Sequence, residues 1–330
     1  MKVTIKDVAK FANVSTATVS MVINNKANRI SDETKKIVMD AIGKLNYKPN
    51  FTARSLVSSQ SHTIGLIVPE ITNPFFAEFS RHLERHLQTL GYITFLCNSG
   101  EDLSLEEKYI DKLIGHSVDG IIIFGLTDKT KEKLPLLRKN KIPYLVLDNR
   151  NPLDKFSISA DDYAGGIIAA KHLIKLNHEF FAFAGDVNGY YNIYQRFKGF
   201  SDTVKKIGGE IDIYNTPLTS DGGKKIALNI FNSRATAVFC SNDLIAVGIY
   251  EEAIKNKFKI PEDLSIIGYD DISFADILSP KLTTIKQPLE EMAQLAGDTL
   301  INMITDETFK FDEMKLAVTL SERESTIRCK

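Results

Sequence analysis

Along the first 56 positions, apolar residues recur at the three- and four-residue spacing of short amphipathic helices. Thr4-Ile5-Lys6-Asp7 reads as a capping box that starts a helix near Ile5, with Val8, Ala9 and Ala12 on one face. Asn13 breaks that helix, because a short amide side chain tolerates the left-handed backbone of a tight turn, and Ser15 offers its hydroxyl as the N-cap of a second helix. In this second helix Val19, Val22 and Ile23 share the inward side, leaving Thr16, Ala17, Ser20, Met21 and Asn24 outward. A third helix is capped by Ser31, carries Asp32 and Glu33 in its first turn, and turns Ile37, Val38, Ala41, Ile42 and Leu45 inward. It ends at Tyr47-Lys48-Pro49-Asn50, since the residue before a proline is pushed out of the α region. Two short helices meeting at a fixed corner form a helix-turn-helix, whose second helix enters the major groove with its outward residues against base edges.

From Thr63 the period changes to alternating strands and helices. Thr63 to Pro69 is a nearly all-apolar strand, Pro74 opens a helix running to about Leu90, and Tyr92 to Cys97 is the next strand. Ser104-Leu105-Glu106-Glu107 starts another helix by a capping box, followed by a strand over Gly120 to Phe124, a helix over Lys129 to Lys139 and a strand over Tyr144 to Leu147. A second set follows, with helices from Tyr163, Tyr194, Gly222 and Asp243, and strands Phe180 to Ala184, Ala237 to Cys240 and Ser265 to Gly268. Repeated strand–helix units mean parallel sheets covered by helices on both faces. Two such sets mean two lobes, with ligands bound at the carboxyl ends of strands in the crevice between them.

Charge is distributed unevenly along the chain. Residues 1 to 60 hold ten Lys or Arg against four Asp or Glu, and the remainder holds 31 against 38, so the positive charge sits at one end, as a phosphate-binding module requires. With 330 residues, 43% hydrophobic and 25% charged, the chain has the composition of a soluble protein of two or three domains. No run approaches the roughly 20 apolar residues that a bilayer requires, and Met1 to Asp7 lacks the apolar core of a signal peptide, which predicts a cytoplasmic location. Cys97, Cys240 and Cys329 form no C-x-x-C pair, so neither a disulfide framework nor a metal site is indicated. His82 and His86 lie four apart on one helix, but the glutamate between them is Glu84 and not at the second position, so this is no zincin motif. No G-x-G-x-x-G, P-loop or G-x-S-x-G occurs, so no catalytic constellation or cofactor site is predicted. Gly165-Gly166 reads as close packing and Gly208-Gly209 as a loop.

Thr4 to Ala9, Val14-Ser15, Ala17 to Ser20, Val22 to Asn24, Leu45 to Asn50 and Ala53 to Leu56 together resemble the DNA-binding head of the LacI family of bacterial repressors. The resemblance continues through Thr63 to Pro69, Asn73 to Phe76, Val118 to Ile122, Ser241 to Asp243, Ile267 to Asp270 and Leu282 to Pro288. It implies a small all-α helix-turn-helix head over residues 1–48 and a hinge helix and linker over 49–61. A two-lobed α/β, periplasmic-binding-protein-like effector and dimerisation domain with parallel sheets then spans 62–330. The N-lobe would comprise about 62–160 and 291–318, and the C-lobe about 161–290 and 319–330. In the hinge, a stretch too short to be a stable helix alone orders against DNA, and Leu56 takes the position of the apolar wedge in the minor groove.

On this resemblance Thr4, Ser15, Thr16, Ala17, Ser20, Met21, Asn24, Tyr47, Asn50, Ala53 and Leu56 are the expected DNA contacts. Many family members carry Arg where this chain has Met21. Arg reads guanine through two hydrogen bonds and Met cannot, so Met21 and Ala17 are expected to meet thymine methyls or to tolerate several bases, leaving Thr16 as the main polar reader. Asn73, Phe75, Phe76, Asp148, Asn242, Asp243 and Asp270 are the expected effector residues by their places after strands, Asp161 by its place at the end of the crossover between lobes, and Arg196 by its match to the family's effector-binding arginine. An aromatic face with one arginine and several carboxylates or amides suits a hydroxylated ring, a sugar, sugar derivative or nucleobase. The expected partners are operator DNA of pseudo-palindromic sequence, such an effector, and a second copy of the chain. No leucine-heptad tail follows residues 319–326, which favours a dimer over a tetramer. A solute-binding protein would need export, and a sugar enzyme on a two-lobed fold would leave residues 1–60 without a purpose.

Overall fold

The computed structural model describes residues 3–23, 30–47, 60–100, 102–125, 128–148, 157–306 and 308–329. Two compact units divide at Ser61 and His62.

The first unit is a three-helix head of α1 (Ile5–Phe11), α2 (Thr16–Ile23) and α3 (Asp32–Lys44). Thr4 closes the start of α1 through its amide, which donates to Asp7 Oδ2 at 2.9 Å, and its hydroxyl, which donates to the same oxygen at 2.7 Å. Asn13 then adopts a left-handed φ of 51°, and the amides of Asn13 and Val14 donate back to the carbonyls of Lys10 and Ala9. This paired closure is a Schellman turn and sets the corner before α2. Ser15 caps α2 by accepting from the Thr18 amide at 3.0 Å, and Ser31 caps α3 by accepting from Thr34. Val8, Ala9, Ala12, Val19, Val22, Val38 and Ala41 form the head's core. Ile37 departs from the expected inward stripe: it is 46% exposed, one position off the face that Val38 and Ala41 bury. The end of α3 also differs in cause. Asn46 at φ 47° makes a second Schellman turn, with Asn46 and Tyr47 amides donating to Gly43 and Ile42 carbonyls, so the helix stops before Pro49 can act.

The second unit holds two six-stranded sheets. The first contains β1 (Thr63–Val68), β2 (Ile93–Asn98), β3 (Gly120–Phe124), β4 (Tyr144–Leu147), β5 (Ser157–Ala160) and β11 (Met314–Leu316), in spatial order β11-β5-β4-β3-β1-β2. The second contains β6 (Phe180–Ala184), β7 (Glu210–Tyr214), β8 (Ala237–Cys240), β9 (Ser265–Asp270), β10 (Thr283–Lys286) and β12 (Thr319–Ser321), in order β12-β10-β9-β8-β6-β7. All pairs are parallel except β10 with β12. The chain therefore leaves the first lobe after β5, returns after β10 and leaves again between β11 and β12.

Helices α4 (Pro74–Thr89), α5 (Leu103–Gly115), α6 (Asp128–Lys139) and α11 (Leu289–Thr305) belong to the first lobe, and α7 (Asp162–Lys175), α8 (Tyr191–Lys205), α9 (Ser220–Phe231) and α10 (Asp243–Lys255) to the second. The stripe Phe79, Leu83 and Leu87 of α4 is wholly buried where α4 packs on α11, whose Met292, Ala293, Ala296 and Leu300 are equally buried. Each of those larger side chains stabilises the fold by about 1.5–3 kcal/mol on burial. Asp102, not the Ser104 box, caps α5: its carboxylate accepts from the amides of Ser104 and Leu105. No helix among the described residues is long and apolar enough to cross a membrane.

Candidate functional site

Within the head, α2 exposes one face and buries the other. Thr4, Ser15, Thr16 and Ala17 are exposed, Met21 is 40% exposed, and Ser20 is half-buried, while Val19 and Val22 face the core. Ser15 spends its hydroxyl on the cap and on Thr18 Oγ1 at 2.9 Å, so its positional role is clear of any ligand. Tyr47 packs partly buried against the head core. Asn24, Asn50, Ala53 and Leu56, with the hinge helix, lie outside the described residues.

In the second unit, the carboxyl ends of strands from both lobes converge on one cleft of about 860 Å³. Pro69 and Glu70 follow β1, Gly125 follows β3 and Asp148 follows β4; from the other lobe come Asp186 after β6, Asn242 after β8 and Asp270 at the end of β9. Asn73 caps α4, accepting from the Phe75 amide at 3.1 Å, and lines the cleft beside Phe75 and Phe76. Phe75, Phe76 and Phe124 meet edge to face with centroids 5.1–6.0 Å apart, giving one wall an aromatic surface. Phe75 is buried in the core and Phe76 half-buried.

Arg196 on α8 is buried, and the structure spends much of it internally. Its Nε donates to Asp162 Oδ1 at 2.8 Å, one terminal nitrogen donates to the Ser241 carbonyl at 2.6 Å, and the same nitrogen lies 3.8 Å from Asp270 Oδ1. The guanidinium also stacks 3.6 Å from the centroid of the Tyr269 ring, whose hydroxyl donates to Asp162 at 2.9 Å. Two glycines bring these elements this close: a Cβ on Gly166 of α7 would collide with the Arg196 carbonyl, and one on Gly199 of α8 with that of Tyr163. Gln287, at the crossing from β10 to α11, donates its Nε2 to Asp270 Oδ1 at 2.7 Å.

Crowding of carboxyl groups around one guanidinium sets the electrostatics. Burial pushes Asp148 up to about 7, helped by Asp162 and Asp270 and opposed by Arg196. Burial likewise pushes Asp270 to about 7, against Arg196 and the Gln287 hydrogen bond. Asp162 is raised by burial too, although Arg196 and Tyr269 pull it back. Burial works against the Arg196 charge, but the Asp162, Asp270 and Asp148 carboxylates outweigh it and keep the guanidinium charged.

Two expected effector residues lie elsewhere. Asp161 caps α7, accepting from the Ala164 amide at 3.0 Å, and faces a separate pocket of about 40 Å³. Asp243 is fully buried and does not cap its helix. Asn242 does so, accepting from Ile245 at 3.0 Å, while Asp243 accepts from the Ile272 amide at 2.9 Å and Thr284 Oγ1 at 2.6 Å, tying β10 to the loop after β9. Gln287, Asp186, Tyr190 and Asn192 reach the cleft without having been singled out, and Asp162 governs Arg196 from beneath it. The doublet Asp161-Asp162 was the available signal: one carboxylate caps, and the next faces inward.

A sequence profile described as "Bacterial regulatory proteins, lacI family" matches residues 4–50, and one described as "Periplasmic binding protein-like domain" matches residues 170–326. The HTH-type transcriptional regulator DegA of Bacillus subtilis (strain 168) is 37% identical over 88% of this chain and 88% of its own length. The ribose operon repressor of Escherichia coli (strain K12) is 35% identical over 98% of this chain and 99% of its own. The chain belongs to the lacI family of bacterial regulatory proteins. Among solved structures it is similar to a LacI family transcriptional regulator from Enterococcus faecalis V583 with bound ribose, at 37% identity and a TM-score of 0.75 over 81% of this chain and 100% of that one. It is also similar to the lac repressor dimer bound to operator and the anti-inducer ONPF, at 25% identity and a TM-score of 0.89 over 99% of this chain and 100% of that one. As a lacI-family member the chain is a DNA-binding transcription regulator whose α/β unit responds to a small molecule.

Proposed function

We propose that this lacI-family regulator is a homodimeric, cytoplasmic repressor without enzymatic activity, which reads a pseudo-palindromic operator and is controlled by a sugar in the interlobe cleft. The cleft carries the reading: Asp148, Asp270 and Arg196 converge with Asn73, Asn242 and an aromatic wall on one cavity at the carboxyl ends of strands. Carboxylates accept from paired hydroxyls while ring carbons lie against Phe, which is how a hydroxylated ring is held. The ribose operon repressor among its relatives and the ribose in a structural neighbour support a sugar of pentose size.

The outward α2 residues Thr16, Ala17 and Met21 are the base-reading set, and pairing two heads at one spacing lets both half-sites be read together. Pairing is supported by the edge strand β2, which exposes Ile93, Phe95 and Leu96 at 61%, 43% and 47%, an apolar strip of the kind an interface covers. Leu96→Glu is expected to lower the mass measured by sedimentation towards that of one chain; a wild-type mass already that of one chain would refute the dimer. DNA retention on a salt gradient tests the rest, since each phosphate neutralised contributes a slope of about −0.9 in log affinity against log salt. Absence of binding at low salt would contradict the proposal.

A further inference from the structure

The polar lining of the cleft is unbalanced. Glu70, Asp148, Asp186 and Asp270 bring four carboxylates to it, and among the described lining residues Arg196 is the one cation. Glu70 and Asp186 are occupied by turns, accepting from the Thr72 amide and from the amides of Asn188 and Gly189. Arg196 is partly engaged before any ligand arrives, because Asp162 takes its Nε–H and the Ser241 carbonyl an N–H of one terminal nitrogen. Two buried acceptors that line the cleft want a partner: Asp148 Oδ1 and Gln287 Oε1 are both buried without a hydrogen bond, and Gln287 as a whole is 2% exposed. A buried acceptor is costly to leave unsatisfied, so the molecule that fills the cleft has to bring donors to both places.

We propose that the effector is an uncharged polyol, a free sugar, and that phosphorylated and carboxylated sugars are rejected by the surplus of carboxylates over the single, already partly engaged guanidinium. The inference rests on the sugar reading of the cleft and narrows it. A hydroxyl on Asp148 Oδ1 and another on Gln287 Oε1 complete hydrogen bonds that the protein leaves open. A phosphate or carboxylate in the same place supplies acceptors to acceptors and adds like charge to a desolvated site, an arrangement that discriminates by repulsion as much as by fit.

The test is calorimetry and thermal shift on the full chain at pH 7.5, with ribose, xylose, glucose, ribose 5-phosphate, ribonate and hypoxanthine. At least one neutral sugar is expected to bind, with its phosphate and acid about 100-fold weaker or more. Asp148→Asn is expected to narrow that gap by weakening the neutral sugar while relieving repulsion of the anion. An anionic sugar that binds as tightly as its neutral parent overturns the charge argument and leaves the sugar reading standing. A response to hypoxanthine alone, or to nothing in the set, overturns both.

Discussion

Asp148 is a side chain held in the cleft at a cost to the fold. Its carboxyl titrates near 3.8 in an ordinary setting and near 7 in the cleft, so the folded chain holds that proton more tightly than the unfolded one. The stability this supplies is fully present at low pH and is lost as pH rises from about 4 through about 7. Asp148→Asn removes the cost of the charged form. Its melting temperature at pH 8 without ligand is expected to exceed that of the wild type, by roughly 2–4 °C per kcal/mol regained, with the difference vanishing near pH 4. An unchanged melting curve at pH 8 would show that Asp148 is solvated in the empty cleft. At the head, Met21→Arg is expected to shift the preferred operator base towards guanine, by about 1–3 kcal/mol in discrimination, as read by competition among operator variants. Thr16 and Met21 were legible in the sequence because helical period alone separates them from Val19 and Val22. The inward role of Asp162 was not, because two adjacent carboxylates differ only in which one caps the helix, a matter of one residue of register. Asn242 and Asp243 are a second such pair, Asn242 capping its helix and Asp243 facing inward.

Between elements, the decisive contact is α7 against α8. Gly166 and Gly199 let backbone touch backbone, and this sets Arg196 within 2.8 Å of Asp162 and under the floor of the cleft. Gly166→Ala puts a methyl against the Arg196 carbonyl and 2.7 Å from the Phe200 amide nitrogen. Overpacking of this kind costs about 1–3 kcal/mol. The variant is expected to melt lower and to bind effector at least tenfold more weakly in calorimetry, whereas an undiminished affinity would mean that Arg196 does not depend on this crossing. The sequence marked Gly165-Gly166 as a packing site, but nothing in it showed what packs there, since α8 lies more than 20 residues further on. Strands β5 and β7 were also missed. β5 reads Ser-Ile-Ser-Ala and is recognisable only beside β4, and β7 is an edge strand whose exposed residues blur its apolar signal. The long buried strands β1 and β3 and the stripe of α4 were plain, because burial on both faces or on one helical face writes itself into the period.

At the scale of the whole chain, a basic head and an acidic remainder divide the labour between a phosphate-rich duplex and a small molecule. That division was readable from charge and period, and the two compact units meet at the composition break. Which lobe arrangement the effector prefers was not readable, because it depends on a difference of free energies between two states of one fold. The coupling between the sites is nevertheless measurable. A duplex selected from random sequence by the full chain should carry two inverted half-sites, and its fluorescence anisotropy can be titrated with protein, with and without saturating neutral sugar. The account predicts that the sugar changes operator affinity by about 5- to 150-fold, the range typical of coupled sites, while a scrambled duplex stays weakly bound in both conditions. Equal affinity for operator and scrambled duplex, or an operator affinity unmoved by a sugar shown to occupy the cleft, would contradict it.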